Sequence, residues 1–207
     1  MKALYFDCFS GISGDMTLGA LLDLGIDKDA FLAEMAKLNV EGFEIKIGRT
    51  EKSGIGAQDV DVILTNGEFI DEHHHHDHSY EGEHTHDHDH HEHHHAHEHR
   101  GMHEVMDILA EAELSDTARK LAVKIFTILG EAEAKAHGTT LENVHFHEVG
   151  AVDSIVDIVG AAVCLDNLGI QDVVIQELAE GHGMIRCQHG LLPIPVPAVA
   201  NIVAAHG

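Results

Sequence analysis

Basic residues are scarce: 12 Lys and Arg stand against 36 Asp and Glu, a formal net charge of −24 with histidine neutral. Such a chain repels phosphate backbones and anionic lipid and attracts cations, so nucleic acids and membrane surfaces are not its expected partners. Cysteine is rare and odd in number. Cys8, Cys164 and Cys187 show no CxxC spacing, which indicates neither a disulfide framework nor a thiolate zinc site. No stretch approaches the roughly 18 uninterrupted apolar residues of a spanning helix, and the amino terminus lacks the basic-then-apolar order of a secretory signal. The expectation is a soluble, cytoplasmic protein. The two common phosphate-binding glycine patterns, GxGxxG and Gly-Lys-Ser/Thr, are missing as well. What is present is a chain of 207 residues, 44% apolar, enough for one or two packed domains, and 22 histidines.

Fifteen of those histidines fall between Asp71 and Arg100: His73, His74, His75, His76, His78, His84, His86, His88, His90, His91, His93, His94, His95, His97 and His99. The same window holds nine carboxylates and one arginine, a net charge of −8, and almost nothing apolar. It cannot bury a core, so residues 71–100 read as a disordered native insertion between a first folded part, 1–70, and a second, 101–207. Imidazole suits Ni, Zn and Cu, which makes the insertion a metal reservoir.

Around it, the patterning predicts an α/β or α+β fold, a sheet with packed helices. Lys2 to Phe6 reads as a buried strand feeding a Gly/Ser turn, then a helix to Gly25 and a second from Asp27 through Leu38. Phe43–Ile47 and Asp59–Leu64 alternate as strands joined through Gly54-Ile55-Gly56. After the insertion, a short helix from His103 to Ala112 precedes a long one capped by Ser115, with Leu121, Ile125, Ile128, Leu129 and Ala132 at helical spacing. Asp153 to Leu168 is apolar nearly all round, a buried helix. Val173-Val174-Ile175 opens another strand, and prolines 193, 195 and 197 force an extended segment before a last helix that Gly207 soon ends. This abrupt end is expected of one part of a larger protein.

Two constellations carry chemistry. His145-Phe146-His147-Glu148 is followed by Asp153 and Asp157, four apart on one helical face, where like charges repel and call for a cation. His145, His147, Asp153 and Asp157 are therefore the metal-ligand candidates, and the competing reading is carboxylates that cap a helix start. Asp7 and Ser10-Gly11-Ile12-Ser13-Gly14-Asp15 form the second constellation. Backbone amides at Ser10, Gly11, Ser13 and Gly14 are candidates for a substrate phosphate, with Asp7, Asp15 and Glu148 as catalytic candidates.

The segments Asp7 to Met16, His145 to Asp157 and His189-Gly190-Leu191-Leu192-Pro193-Ile194-Pro195-Val196-Pro197-Ala198 together resemble the LarC family of nickel insertion proteins. The resemblance runs in order across essentially the whole chain and includes a His-rich insertion in the same place. It implies a CTP-dependent cyclometallase that inserts Ni into pyridinium-3,5-bisthiocarboxylic acid mononucleotide to make the nickel-pincer cofactor of lactate racemase, assisted by Mg or Mn. It also implies a carboxy-terminal, CTP-associated domain that this sequence does not contain. The expected partners are accordingly the mononucleotide, the carboxy-terminal half and apo lactate racemase, in a homo-oligomer when complete. Two alternatives remain, a nickel storage or delivery protein without catalysis and a metal-dependent phosphohydrolase.

Overall fold

The computed structural model describes residues 2–65, 100–146, 152–187 and 189–207. The fifteen histidines of the insertion, together with His147 and Glu148, lie outside the described residues. Strand β1 (Ala3–Cys8) leads to helix α1 (Gly14–Asp23), then α2 (Lys28–Met35) and a hairpin of β2 (Phe43–Lys52) and β3 (Ile55–Leu64). Helices α3 (Met102–Glu111), α4 (Asp116–His137) and α5 (Val152–Leu168) follow, then β4 (Asp172–Leu178), β5 (Gly183–Cys187), β6 (Gly190–Ile194) and α6 (Pro197–His206). The mixture of helices with parallel and antiparallel strands is the α/β architecture that the patterning predicts. None of the helices among the described residues is long and apolar enough to cross a membrane.

Helix α5 holds the centre. Its residues Val152, Ile155, Val156, Val159 and Ala162 are buried, and α1, α2, α4 and β3 pack around it. A helix apolar on nearly every face needs neighbours on nearly every side, and here it has them. On α4 the buried stripe is Ala118, Ala122, Phe126 and Gly130, whereas the larger Leu121, Ile125, Ile128 and Leu129 are only half-buried. Of the expected stripe Ala132 is buried too, while Leu121 and Leu129 pack half-buried at the edge of the core beside the smaller residues that fill it. The rings of Phe126 and Phe146, both fully buried, meet at a tilt of 59° with centroids 6.3 Å apart.

The strands form three two-stranded sheets among the described residues rather than one. β1 and β4 run parallel, Ala3 opposite Asp172 and Cys8 opposite Leu178, with an irregularity between Phe6 and Cys8. β2 and β3 pair antiparallel over ten positions, longer than the alternation alone suggests. The turn is Ser53-Gly54, not Gly54-Ile55-Gly56: both residues have positive φ, 55° and 80°, the twist of a two-residue hairpin, so pairing continues to Lys52 and Ile55. The proline segment contributes a strand, β6, which pairs with β5 through Met184 opposite Pro193. Helix α2 stops at Met35 instead of Leu38, since Lys37 and Leu38 donate to the carbonyls of Glu34 and Met35 in tighter turns.

Candidate functional site

Strand β1 delivers the chain to Cys8, whose carbonyl accepts from the N–H of Gly11 and of Ala179, both at 3.0 Å. The turn after β1 is thereby pinned beside the end of β4, the crevice at the carboxyl ends of parallel strands where α/β proteins place ligands. Ser13 caps α1: its hydroxyl accepts from the Met16 N–H at 3.4 Å and donates to the Asp15 carboxylate, and Thr17 Oγ1 donates to the Ser13 carbonyl at 2.7 Å. The first turn of α1 therefore presents its remaining amides next to an exposed carboxylate, that of Asp15.

The start of α1 lies against α5. A Cβ on Gly14 would stand 1.9 Å from Asp157 Oδ2 and 2.4 Å from its Cγ, so only glycine leaves room for that carboxylate. Glycine at this position is explained by what it admits: Asp157, 143 positions later, occupies the volume of the missing side chain. The other oxygen, Oδ1, is buried and has no hydrogen-bond partner among the described residues. Burial pushes the Asp157 carboxyl up to about 7, with the charges of Asp153 and Asp15 adding to the effect. Asp153 Oδ1 accepts from the Ser154 N–H at 2.8 Å. None of the groups acting on Asp157 is a basic side chain.

Parts of the two constellations, far apart in sequence, thus meet: Asp153 and Asp157 share a face of α5, as their spacing predicts, and the charges of Asp153 and of Asp15 at the Ser10–Gly14 turn both act on Asp157. Asp7 is exposed at the end of β1 and is not among the charges acting on Asp157. His145 is exposed between buried Val144 and Phe146, and its backbone bridges Gly101 at the start of α3. Among the described residues no group of three or more His, Cys, Asp or Glu is arranged to hold a metal ion. The direct contact of Gly14 with Asp157 is what sequence reasoning misses. Its only signal is a glycine at the first position of a helix, where a side chain would ordinarily be tolerated.

The cluster combines a helix start, which favours anions, with three carboxylates, which repel them. A phosphate alone is poorly served there. A phosphate accompanied by a divalent cation is served well, since carboxylates satisfy the ion while helix amides receive the phosphate oxygens.

Comparison with known proteins agrees with a nickel-handling role. A family model described as nickel insertion protein matches residues 4–207. The pyridinium-3,5-bisthiocarboxylic acid mononucleotide nickel insertion protein of Alkaliphilus metalliredigens is 53% identical over 204 residues, covering 99% of this chain and 46% of its own length. Those of the same name from Acetivibrio thermocellus and Clostridium acetobutylicum are 44% and 46% identical, covering 98% of this chain in each case and 45% and 50% of their own lengths. The chain spans about half the length of these curated relatives. No solved structure matches it. The match over nearly every residue places the chain in the nickel insertion protein family.

Proposed function

We propose that this chain is the part of an insertase that gathers nickel and holds the phosphate end of pyridinium-3,5-bisthiocarboxylic acid mononucleotide while nickel is loaded into it. The observation that carries the reading is the orphaned Asp157 oxygen beside the start of α1, flanked by Asp15 and Asp153. A half-buried carboxylate with two acidic neighbours and no basic partner is stable in its charged form only with a cation beside it.

Asp15, Asp153 and Asp157 supply hard oxygen atoms, the donor chemistry of a divalent ion such as Mg or Mn, which would neutralise phosphate charge when the phosphate brings it to the site. The amides of the Ser10–Gly14 turn orient the phosphate, except that of Gly11, which donates to the Cys8 carbonyl. Ser13 takes up the Met16 amide with its own hydroxyl, which leaves the amides before it in the first turn of α1 for the phosphate. Asp157 carries a proton near neutrality until a cation replaces it, so loading of the site releases a proton. Nickel is the substrate of the reaction, collected by the fifteen histidines of residues 71–100 and relayed through His145 and His147. The same reading includes CTP as the driving nucleotide, bound by the carboxy-terminal half, and the nickel-pincer cofactor of lactate racemase as the product. Exposed Val173, Val174 and Ile175 on β4 offer that half an apolar surface to cover.

Nickel incorporation into the mononucleotide, measured with the carboxy-terminal half and CTP supplied, tests the proposal. Asp153→Asn and Asp157→Asn keep side-chain volume and remove the charge, and each is expected to lower incorporation at least tenfold while the protein stays folded. Full incorporation by both variants would reduce the cluster to a helix-capping feature, and a parent protein that binds nickel without ever loading the mononucleotide would favour storage or delivery.

A further inference from the structure

A second group of metal-ligating side chains lies away from the carboxylate cluster, where the last turn of α4 meets the β5–β6 hairpin. Glu133, His137, Cys187 and His189 line a cavity of about 270 Å³, together with apolar Leu192 and Pro197. The geometry is set by three separate local structures. Glu133 and His137 are four apart on α4 and so share a face, with Oε2 of the first 3.5 Å from Nε2 of the second. Cys187 ends β5 opposite Gly190, which leaves His189 in the tight turn between the two strands. Asn201 on α6 donates to the carbonyl of Ala132 at 3.0 Å, tying α6 to the same end of α4.

The imidazoles of His137 and His189 face each other with ring centroids 4.9 Å apart and planes inclined by 45°. Two imidazoles bound cis to one ion, at about 2.1 Å per metal–nitrogen bond and angles of about 90–110°, keep their ring centres about 4.5–5.2 Å apart. The observed separation falls inside that interval. A carboxylate behind a ligating imidazole is the usual support for a metal-bound histidine, and with Glu133 beside Nε2 of His137 the ligating nitrogen would be Nδ1.

We propose that His137 and His189 form a binding site for one borderline divalent transition-metal ion, such as nickel. Cys187 stands in the wall beside the ion, and the remaining coordination positions are open to water or to a ligand brought by a partner. No three donors are yet arranged around an ion among the described residues. The site is a pair with open positions, the arrangement of a place where an ion is passed on rather than stored. The proposal stands independently of the insertase reading, because neither mononucleotide nor CTP enters it.

The fifteen histidines of residues 71–100 would bind nickel too on the reading above, so a bulk titration cannot isolate this site, but the thiol can. That segment contains no cysteine. Cys8 and Cys164 are buried, and burial pushes the Cys164 thiol up to about 12, so Cys187 is the thiol open to reagents. The full chain is treated with iodoacetamide at pH 8 with and without nickel chloride, and alkylation of the Cys187-containing peptide is followed by mass spectrometry. Nickel is expected to slow alkylation of Cys187 at least fivefold in the parent protein, and to leave it unchanged in H137Q and in H189Q. Both variants carry the intact histidine segment, and their unfolding midpoints confirm that they are folded. An unprotected Cys187 in the parent, or protection in both variants equal to that of the parent, overturns the proposal.

Discussion

Asp157 is where sequence and structure meet most sharply. Its ordinary value is 3.8, and in the folded protein it titrates near 7. Between about pH 4 and 7 the unfolded chain has lost this proton and the folded chain retains it, so stability is greatest below about pH 4 and falls as pH rises to 7. At 1.36 kcal/mol per tenfold change in proton affinity the loss is bounded by about 4 kcal/mol, and partial exposure reduces it to roughly 1–3 kcal/mol. Asp157→Asn is expected to flatten this part of the pH profile and to raise stability at pH 8 by a similar amount, read from urea unfolding at pH 4.5, 6 and 8. A steep profile retained by the variant would assign the effect to other carboxylates. Gly14→Ala places a methyl group on the Asp157 carboxylate, at a cost of roughly 1–3 kcal/mol from overpacking. The same change in an Asp157→Ala background should cost less than half of that, and a double-mutant cycle measures the coupling. Sequence marked both residues as interesting, one for phosphate and the other for metal. That they touch was illegible, because nothing in local spacing encodes a contact made across the core.

At the scale of elements, boundaries that depend on local chemistry were legible and those that depend on tertiary pairing were not. Ser13, Asp27 and Ser115 all cap the helices they precede, with Asp27 Oδ1 accepting from Ala30 N at 2.8 Å and Ser115 Oγ from Ala118 N at 3.1 Å. The β5–β6 hairpin escaped notice because prolines suppress the usual strand signal, although an edge position tolerates them. The helical spacing of Leu121, Ile125, Ile128, Leu129 and Ala132 locates α4, but the fully buried positions also include Ala118, Ala122 and Gly130, because large aliphatic residues dominate any hydrophobic periodicity while close packing selects alanine and glycine. Ser115 does two jobs, since its hydroxyl also donates to Asp166 Oδ2 on α5 at 2.5 Å. Ser115→Ala is therefore expected to cost about 1–2 kcal/mol, the upper part of the range for a lost cap, measured by thermal or urea unfolding. A loss below about 0.5 kcal/mol would mean that the link to α5 contributes nothing.

For the whole molecule, charge and histidine content were the clearest signals, and they bear on metal handling more than on fold. Deleting residues 71–100 is expected to lower the number of nickel ions bound per chain severalfold. The unfolding midpoint should stay level or rise slightly, because the segment carries almost no apolar residues and a shorter connection costs less closure entropy. Calorimetric titration and melting of the same variant check both halves of this expectation. Nickel held by imidazole should also leave as pH falls from about 7.5 towards 5, since coordination needs the neutral ring. Retention of the full load at pH 5 would assign it to carboxylates.

The pairing of β1 with β4 sets an order of events for the nascent chain. Tyr5 and Gln176, whose side chains meet at 3.2 Å, are 171 positions apart. Residues near the amino terminus therefore leave the ribosome long before their partner strand exists, and the β2–β3 hairpin and the helices around α5 have time to assemble first. The turn after β1 is fixed by the carbonyl of Cys8, which is shared with Ala179, so that end of the proposed site is completed only once β4 has emerged. Long-range parallel pairing of this kind is slow to form, which makes the crevice between β1 and β4 a late feature of the folding chain.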